Sequence, residues 1–254
     1  WGTRDSDVRD SDTSLSYRVN TVNGVTIANQ LRMNATPFRR IEKQRAELGI
    51  TAQDTWKLQR LAMNLGVRFD YYGNYFPEQH LGPGRWVPTR DITLPETPWV
   101  DWKDVTPRIG ASYDLFGDGT TAIKGTINKY MLAFGLQGIF AESSNPVSRM
   151  ANFVTRNWND ANRDFVPDCD LFNPQVNGEC AAMSDLNFGK PIPTTAIDEA
   201  IIHDNRGYNW EFSAGIQRQL VPRVSVDLSY FRRLYGNFVV TDNRATSPAD
   251  FGPF

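Results

Sequence analysis

The feature that most restricts the fold of this chain is an alternation of apolar and polar residues with a period of two. From Leu61 to Tyr71, every odd position is apolar or aromatic, and every even position is small, polar or charged. Side chains point alternately to the two faces of a β-strand, so this segment predicts a strand with one apolar and one polar face. The same alternation recurs in four later segments, residues 108–115, 123–131, 210–217 and 224–231.

The predicted strands are longer than the strands of most globular proteins. With their flanking residues they run over roughly 10 to 16 residues, whereas a globular strand has about 5 or 6. A tilted strand needs about 9–11 residues to cross the hydrocarbon layer of a membrane. We therefore predict an all-β fold, an antiparallel up-and-down transmembrane β-barrel to which this chain contributes about eight strands.

Short and long connections alternate between the predicted strands. Short reversals are predicted within residues 53–60, near Trp56–Lys57, at residues 116–120 and at residues 220–223. Long irregular segments are predicted at about 74–106, at about 134–207 and after Asn237. Outer-membrane barrels have short periplasmic turns and long extracellular loops, so we expect the long segments to be extracellular.

Three further strands are predicted in the first 55 residues. Asn23–Gly24 is a turn dipeptide between Ser14–Val22 and Val25–Asn34, which predicts a β-hairpin. Residues 40–55 are predicted to form one strand, although residues 41–48 also fit a helix.

Composition excludes some functions but does not separate a barrel from a soluble β protein. Hydrophobic residues make up 40% of the chain, mean hydropathy is -0.46, and no run of 18 apolar residues predicts a transmembrane helix. The net charge of -2 argues against nucleic acid as a partner. No motif of a hydrolase, a nucleotide-binding loop or a catalytic metal site occurs, so we predict that the chain is not an enzyme.

Charged residues fall on the polar side of the predicted strands. Those expected to face the barrel lumen are Arg68, Asp70, Arg108, Asp114, Lys124, Glu211 and Asp227. Two roles are open for them. They dock a plug or guide a substrate, or they are solvated and form cross-strand ion pairs that contribute little to stability.

Aromatic residues cluster near the ends of the predicted strands. They are Tyr71, Tyr72, Tyr75, Phe76, Trp99, Trp102, Tyr230, Phe231 and Tyr235. Such clusters are typical of the aromatic girdles at a membrane interface. A surface on which carbohydrate or peptide stacks is the alternative.

The segment after Trp158 carries oxygen ligands at nearly every second position. They belong to Asp160, Asn162, Asp164, Asp168 and Asp170. Ca²⁺ takes six to eight oxygen ligands, so the segment is a candidate Ca²⁺ site, with a solvated acidic loop as the alternative. An EF-hand is excluded, because Phe165 stands where that motif requires Gly and Leu171 where it requires Glu.

The two cysteines of the chain, Cys169 and Cys180, lie 11 positions apart in this polar segment. The pair suits a disulfide in an oxidising compartment, and two free thiols are the alternative. Closing so small a loop would stabilise the fold by roughly 2–3 kcal/mol.

Several segments resemble the barrels of TonB-dependent receptors. They are QDTWK at 53–57, LAMNLGVRFD at 61–70 and TPRIGASYDLFGDG at 106–119. Residues 158–180, 208–211 and 230–233 are similar to the Oar-like branch, whose members carry an N-terminal carboxypeptidase-regulatory-like domain. The resemblance covers residues 40–254 and identifies the whole chain, residues 1–254, as part of a receptor barrel.

The resemblance implies energy-coupled uptake of an extracellular substrate across the outer membrane of a Gram-negative cell. Such barrels have about 22 strands and contain a plug, and a TonB box couples them to the TonB–ExbB–ExbD complex. The chain starts at Trp1 and shows neither a plug nor a TonB box, so we expect it to be a piece of a longer protein. Two alternatives stay open, a porin or adhesin barrel in the outer membrane, and a secreted β-sandwich that binds ligands with its loops.

Overall fold

The computed structural model describes residues 3–8, 14–133, 144–192 and 197–252. In these ranges the chain consists mainly of β-strands joined by turns and irregular segments, which confirms the predicted all-β fold. None of the helices in these ranges has the length and apolar character that a membrane span requires.

Twelve strands occur in the part of the chain that the structure describes. They are β1 (Thr3–Val8), β2 (Leu15–Val22), β3 (Val25–Asn34), β4 (Phe38–Leu58), β5 (Leu61–Phe76), β6 (Gln79–Leu81), β7 (Ile92–Leu94), β8 (Thr97–Asp114), β9 (Thr121–Met131), β10 (Phe153–Asn157), β11 (Tyr208–Val221) and β12 (Val224–Gly236). The helical elements are short: α1 (Glu199–His203) and two 3-10 turns, Pro146–Arg149 and Pro248–Asp250.

The strands form three sheets. The largest has seven strands in the order β1-β4-β5-β8-β9-β11-β12, a second has the order β10-β3-β2, and a third pairs β6 with β7. Neighbours in the large sheet therefore follow the order of the chain, and the remaining strands are inserted in the connections between them. This is the up-and-down topology that the sequence predicts.

Short turns join the strands of the large sheet at one end. Residues 115–120 join β8 to β9, and the turn at Pro222–Arg223 joins β11 to β12, as predicted. The reversal predicted within residues 53–60 is confirmed, but it lies at Gln59–Arg60 and not near Trp56, because β4 continues to Leu58. Gln59 takes a positive φ of 52° there, a conformation found mostly in turns.

The irregular segment predicted at 74–106 is too long. Strand β5 extends to Phe76 and β8 begins at Thr97, so the connection covers residues 77–96 and contains the hairpin of β6 and β7. The side chains of Phe76 and Trp99 are buried, and their ring centroids lie 6.0 Å apart. Both strands therefore extend into the segment whose polar residues predict a loop, because Phe76 and Trp99 are buried there.

One compact unit comprises the described residues of Trp1–Ala46, Gly73–Val100 and Phe134–Ile197. Among its described residues, three clusters of buried side chains form part of the core. The first contains Phe38, Leu81, Leu94, Val147 and Met150; the second Ala28, Leu31, Trp158 and Cys180; the third Met33, Trp86 and Val154. The segment predicted as an irregular loop at 134–207 thus supplies core residues and strand β10, although residues 134–143 and 193–196 lie outside the described ranges.

The hairpin predicted at Ser14–Asn34 is confirmed as β2 and β3, but it does not belong to the large sheet. Strand β3 pairs with β10 and buries Leu31 and Met33 in the core clusters. Within the described residues the large sheet has seven strands, which agrees with the predicted contribution of about eight strands to a barrel wall. The first of them is β1, which the sequence did not predict and which pairs with β4.

The second compact unit comprises Glu47–Tyr72, Asp101–Ala133 and Asp198–Phe254. It contains β9, β11, β12 and the parts of β4, β5 and β8 that lead to the short turns. The strand predicted at 40–55 is confirmed as β4, and the helical alternative for residues 41–48 is excluded. This unit carries the seven charged residues that the sequence predicts to face a lumen.

Candidate functional site

The candidate site of the second unit is a sheet with two chemically different faces. The register of β8, β9 and β11 places Ile109, Ile127 and Phe212 side by side. Two residues closer to the short turns, the register aligns Ala111, Gly125, Ala214 and Tyr230. Two residues further in the same direction, it aligns Tyr113, Ile123, Ile216 and Leu228. The alternation in the sequence therefore produces one continuous apolar face.

This apolar face is not packed into a protein core. Val67, Ile109, Ile123, Ile216 and Val226 are between 41% and 50% exposed. Large apolar side chains in such a continuous patch mark a surface that contacts another apolar phase or a partner. The arrangement is what the lipid-facing side of a membrane strand requires.

The opposite face carries polar side chains that contact one another across the strands. Thr126 and Ser213 share a hydrogen bond of 2.6 Å, Lys124 donates to Gln217, and Arg233 forms an ion pair with Glu211. Within β12, Ser229 also donates to Asp227 over 2.7 Å. Polar groups on this face are thus paired within the sheet.

All seven residues predicted to face the lumen lie on this polar face. The register aligns Arg108 with Asn128 and Glu211, and it aligns Asp114 with Ala122, Gln217 and Asp227. Lys124 lies between Ser112 and Gly215. A Cβ at Gly66 would lie 3.6 Å from the Cβ of Arg108, which places Gly66, Arg68 and Asp70 on the same face. That this face lines a closed lumen stays a prediction.

Three of these seven residues, Arg68, Asp70 and Asp114, have partners close by in the sequence. Arg68 forms a salt bridge of 2.7 Å with Asp70, two residues along the same strand. Asp114 accepts hydrogen bonds of 2.9 Å from the backbone N–H groups of Gly117 and Gly119, both of which have positive φ. Asp114 therefore holds the turn between β8 and β9, a role that the sequence analysis did not assign to it.

The aromatic girdle is predicted wrongly for four residues. Tyr72, Phe76, Trp99 and Trp102 are buried by protein, so they do not form a membrane-facing belt. Tyr72 and Trp102 lie in contact within the second unit, with ring centroids 6.1 Å apart. Of the remaining residues, Tyr230 lies on the apolar face, whereas Phe231 lies on the polar face and is 75% exposed.

In the first unit, Cys169 and Cys180 form the predicted disulfide, with their Cα atoms 5.8 Å apart. The side chain of Glu179 lies beside it and accepts hydrogen bonds from the backbone of Ala161 at 2.8 Å and from the Trp158 indole at 3.1 Å. These bonds, with a weaker one from the backbone of Asp168, hold the pKa of Glu179 below its ordinary value. The disulfide and the carboxylate together fix the two ends of the acidic segment.

The predicted Ca²⁺ ligands make hydrogen bonds within the acidic segment itself. Asn162 directs its amide donor to Asp164 at 3.1 Å and to Asp168 at 3.0 Å. Asp160 accepts from the backbone of Phe165, and Asp170 accepts from the backbone of Phe172. Within the described ranges, no three acidic, histidine or cysteine side chains converge as metal ligands. In this arrangement Asp160, Asp164 and Asp170 accept hydrogen bonds from backbone N–H groups of the loop. Ca²⁺ binding stays a prediction.

Arg156, which the sequence analysis missed, organises the same segment. Arg156 is only 2% exposed, and its guanidinium donates to the backbone carbonyls of Ala181, Asn173 and Gln175 at 2.8, 3.1 and 3.0 Å. Burial lowers its pKa. Arg90 acts in the same way, because it donates to the backbone carbonyls of Gly82, Ala35 and Pro37. Only tertiary structure reveals these roles, since neither arginine lies in a motif.

Two cations on the apolar face were also missed, although the sequence contains a signal for them. Lys129 lies beside Trp210 in the register, and Arg232 lies beside Phe212. Both occupy positions at which the alternation of β9 and β12 requires an apolar residue. A charged residue that breaks an amphipathic pattern is such a signal.

Comparison with known proteins supports this description. The family described as outer membrane beta barrel domain matches residues 27–240, which is most of the chain. No curated protein and no solved structure matches the chain. The match accounts for the long antiparallel strands and for their exposed apolar face. The chain belongs to the outer membrane beta barrel domain family, and its location is the outer membrane of the cell, in contact with membrane lipid.

Proposed function

We propose that this chain is the barrel segment of a TonB-dependent receptor of the Oar-like type, which takes up an extracellular substrate with energy from the TonB–ExbB–ExbD complex. It acts as a transport component and not as an enzyme. The observation that carries this proposal is Phe231, a large apolar side chain that is 75% exposed on the otherwise polar face. A ring in this position is better covered by a plug inside the barrel than by water.

A barrel of the size that the resemblance implies would have a plugged lumen. The seven-stranded sheet ends in β1 on one side and β12 on the other, so it is an open sheet within the described residues. Exposed sheet edges are pairing sites, and in a barrel they pair with further strands. Barrels of 16–18 strands leave a water-filled channel, whereas those of about 22 strands hold a plug. Motifs at 53–57, 61–70 and 106–119 favour the larger class by their resemblance to TonB-dependent receptors.

The connections opposite the short turns are suited to binding a substrate. Within the first unit they are packed around their own core, and the disulfide of Cys169 and Cys180 closes a loop inside one of them. A binding surface on a packed scaffold loses less conformational entropy when it binds than one on free loops. Exposed apolar side chains of this segment, among them Phe172, Val176 and Leu186, are available for contact with a substrate.

A porin is the second candidate, because paired polar side chains such as Lys124 with Gln217 also suit a hydrated channel. Conductance of the full-length protein in planar bilayers separates the two. A plugged receptor gives no steady current in KCl solution until urea loosens the plug, and it binds the isolated periplasmic domain of TonB. A steady open current without urea, together with no binding of TonB, would overturn the receptor proposal in favour of the porin.

A further inference from the structure

We propose that Lys129 and Arg232 form a binding site for the phosphate groups of a glycolipid in the outer leaflet of the outer membrane. The site lies on the lipid-facing side of the sheet. It rests on the outer-membrane location of the chain and on the orientation of its short turns. It does not depend on coupling to TonB.

The two cations lie on the apolar face with aromatic rings between them. Strand β11 separates β9 from β12, and it places Trp210 beside Lys129 and Phe212 beside Arg232. Adjacent strands are about 4.8 Å apart and the two positions are offset by two residues along the strands, so the Cα atoms of the two cations are roughly 12 Å apart. Their long side chains can reach the phosphates of one lipid headgroup from both sides of these rings.

Neither cation is neutralised by the protein in the part of the chain that the structure describes. The ammonium of Lys129 lies 4.7 Å from the ring centroid of Tyr208 and 5.9 Å from that of Trp210, and no salt bridge to a carboxylate is present there. Arg232 is exposed and has no salt bridge there either. On the opposite face, Arg233 is paired with Glu211. The arginine on the polar face is thus neutralised by a carboxylate of the protein, whereas the two cations on the apolar face are not. This difference points to an anion outside the protein as their partner.

The position along the strands places the cations at the outer boundary of the membrane. Lys129 lies eight residues beyond Thr121, where β9 begins, and Arg232 lies eight residues beyond Val224, where β12 begins. Both strands begin at short turns, which face the periplasm in outer-membrane barrels. About 9–11 residues cross the hydrocarbon layer, so both cations approach the headgroups of the outer leaflet. The cost of a cation on the lipid face is highest at the midplane and falls towards the interface.

The chemistry of the group fits a phosphorylated glycolipid. An ammonium and a guanidinium form charge-assisted hydrogen bonds with phosphate oxygens, and the guanidinium can do so in a bidentate manner. Tyr208 and Trp210 provide the amphipathic rings that are enriched at the level of the headgroups. Lipid A, a phosphorylated disaccharide with acyl chains, is the glycolipid of this leaflet and supplies phosphate, sugar and acyl chain in one molecule.

The test measures binding of diphosphorylated lipid A to the full-length protein in detergent by native mass spectrometry. The variants are Lys129→Met with Arg232→Gln, and as a control Arg218→Gln, which changes a cation on the same face at the turn end of β11. We expect the double variant to lose affinity for lipid A by about tenfold and the control to keep it. With lipid A from which both phosphates are removed, we expect the double variant and the unchanged protein to bind equally.

Three outcomes would overturn the proposal. They are equal binding of lipid A by the double variant and the unchanged protein, an equal loss with the dephosphorylated lipid, and binding of inorganic phosphate alone that matches lipid A in affinity. Heat-modifiable migration in electrophoresis shows that each variant is folded. The conservative variant Lys129→Arg keeps the charge and is expected to keep the affinity, which separates loss of charge from loss of fold. Conductance and TonB binding are expected to be unchanged in all variants, so this test is independent of the proposed transport function.

Discussion

The guanidinium of Arg206 lies 3.0 Å from the carboxylate of Asp104, and each side chain is only 11% exposed. Arg206 also donates to the backbone carbonyl of Leu132 at 2.9 Å, and its guanidinium carbon lies 5.1 Å from the ring centroid of Trp102. The pair therefore joins the start of β11 to β8 within the second unit. It does so where the chain returns to the sheet after its longest connection.

Replacement of Arg206 is expected to destabilise the second unit. Arg206→Met leaves Asp104 as a charge without its partner, and breaking a buried pair in this way costs about 3 kcal/mol. Asp104→Asn combined with Arg206→Met removes both charges and is expected to cost less than the sum of the single variants. Urea unfolding of the full-length protein in detergent measures these free energies. A cost below about 0.5 kcal/mol for Arg206→Met would show that the pair is only a surface contact.

The large sheet could be predicted from the sequence because its pattern is local. In each segment with a period of two, such as residues 61–71, the alternation alone predicts which side chains share a face, and no other segment is needed for that prediction. The exposed face containing Ile109 and Ile123 followed directly, as did the turns at 116–120 and 220–223. What the structure adds for this sheet is the order of the strands and the alignment of their residues.

The packed first unit could not be predicted in the same way. Its core joins Leu31 to Trp158 and Phe38 to Val147, residues more than one hundred positions apart. Short strands such as β10 have too few residues to show a period, and polar residues between them resemble a loop. The disulfide of Cys169 and Cys180 was predicted because both residues are unusual and close in sequence.

Arg156 is expected to be irreplaceable even by lysine. Its guanidinium donates to several backbone carbonyls from a buried position, and the single ammonium of a lysine cannot match this planar set of donors. Arg156→Lys and Arg156→Met are therefore both expected to destabilise the segment 170–181, by about 3 kcal/mol. Hydrogen exchange of that segment, followed by mass spectrometry, measures the effect. Full protection in Arg156→Lys would show that charge alone is sufficient.

The stability of the first unit is expected to fall at acidic pH through Glu179. Backbone and indole N–H groups hold the pKa of its carboxylate below the ordinary 4.5. A carboxylate whose pKa is lower in the folded than in the unfolded state stabilises the fold above the unfolded value, and this contribution is lost as the pH falls through the folded pKa.

The difference in unfolding free energy between the unchanged protein and Glu179→Gln measures this contribution. We expect the difference to be constant near neutral pH, to shrink below pH 4.5 and to vanish below the lowered pKa of Glu179. Glu78→Gln, at an exposed position outside this network, is the control and is expected to show no such trend. A difference between Glu179→Gln and the unchanged protein that is independent of pH would show that the carboxylate acts by shape and not by charge.

Introducing a charge at the middle of the apolar face distinguishes whether that face contacts lipid or water. Ile216 lies between Ile123 and Leu228 in the register, five residues before Val221, where β11 ends near the short turn. Ile216→Arg is expected to cost about 2–4 kcal/mol in vesicles, because an arginine near the midplane of the bilayer must leave water. Ser229→Arg is the matched control, since Ser229 lies on the polar face one residue after Leu228 and beside Asp227.

The free energies are obtained from reversible unfolding of the full-length protein in phospholipid vesicles. The control is expected to cost less than about 1 kcal/mol, because an arginine on the polar face keeps its hydration and has Asp227 as a neighbour. Equal costs for Ile216→Arg and Ser229→Arg would mean that the two faces meet the same medium. In that case the exposed apolar face would have to be covered by protein, and the assignment of these strands to the membrane would be wrong.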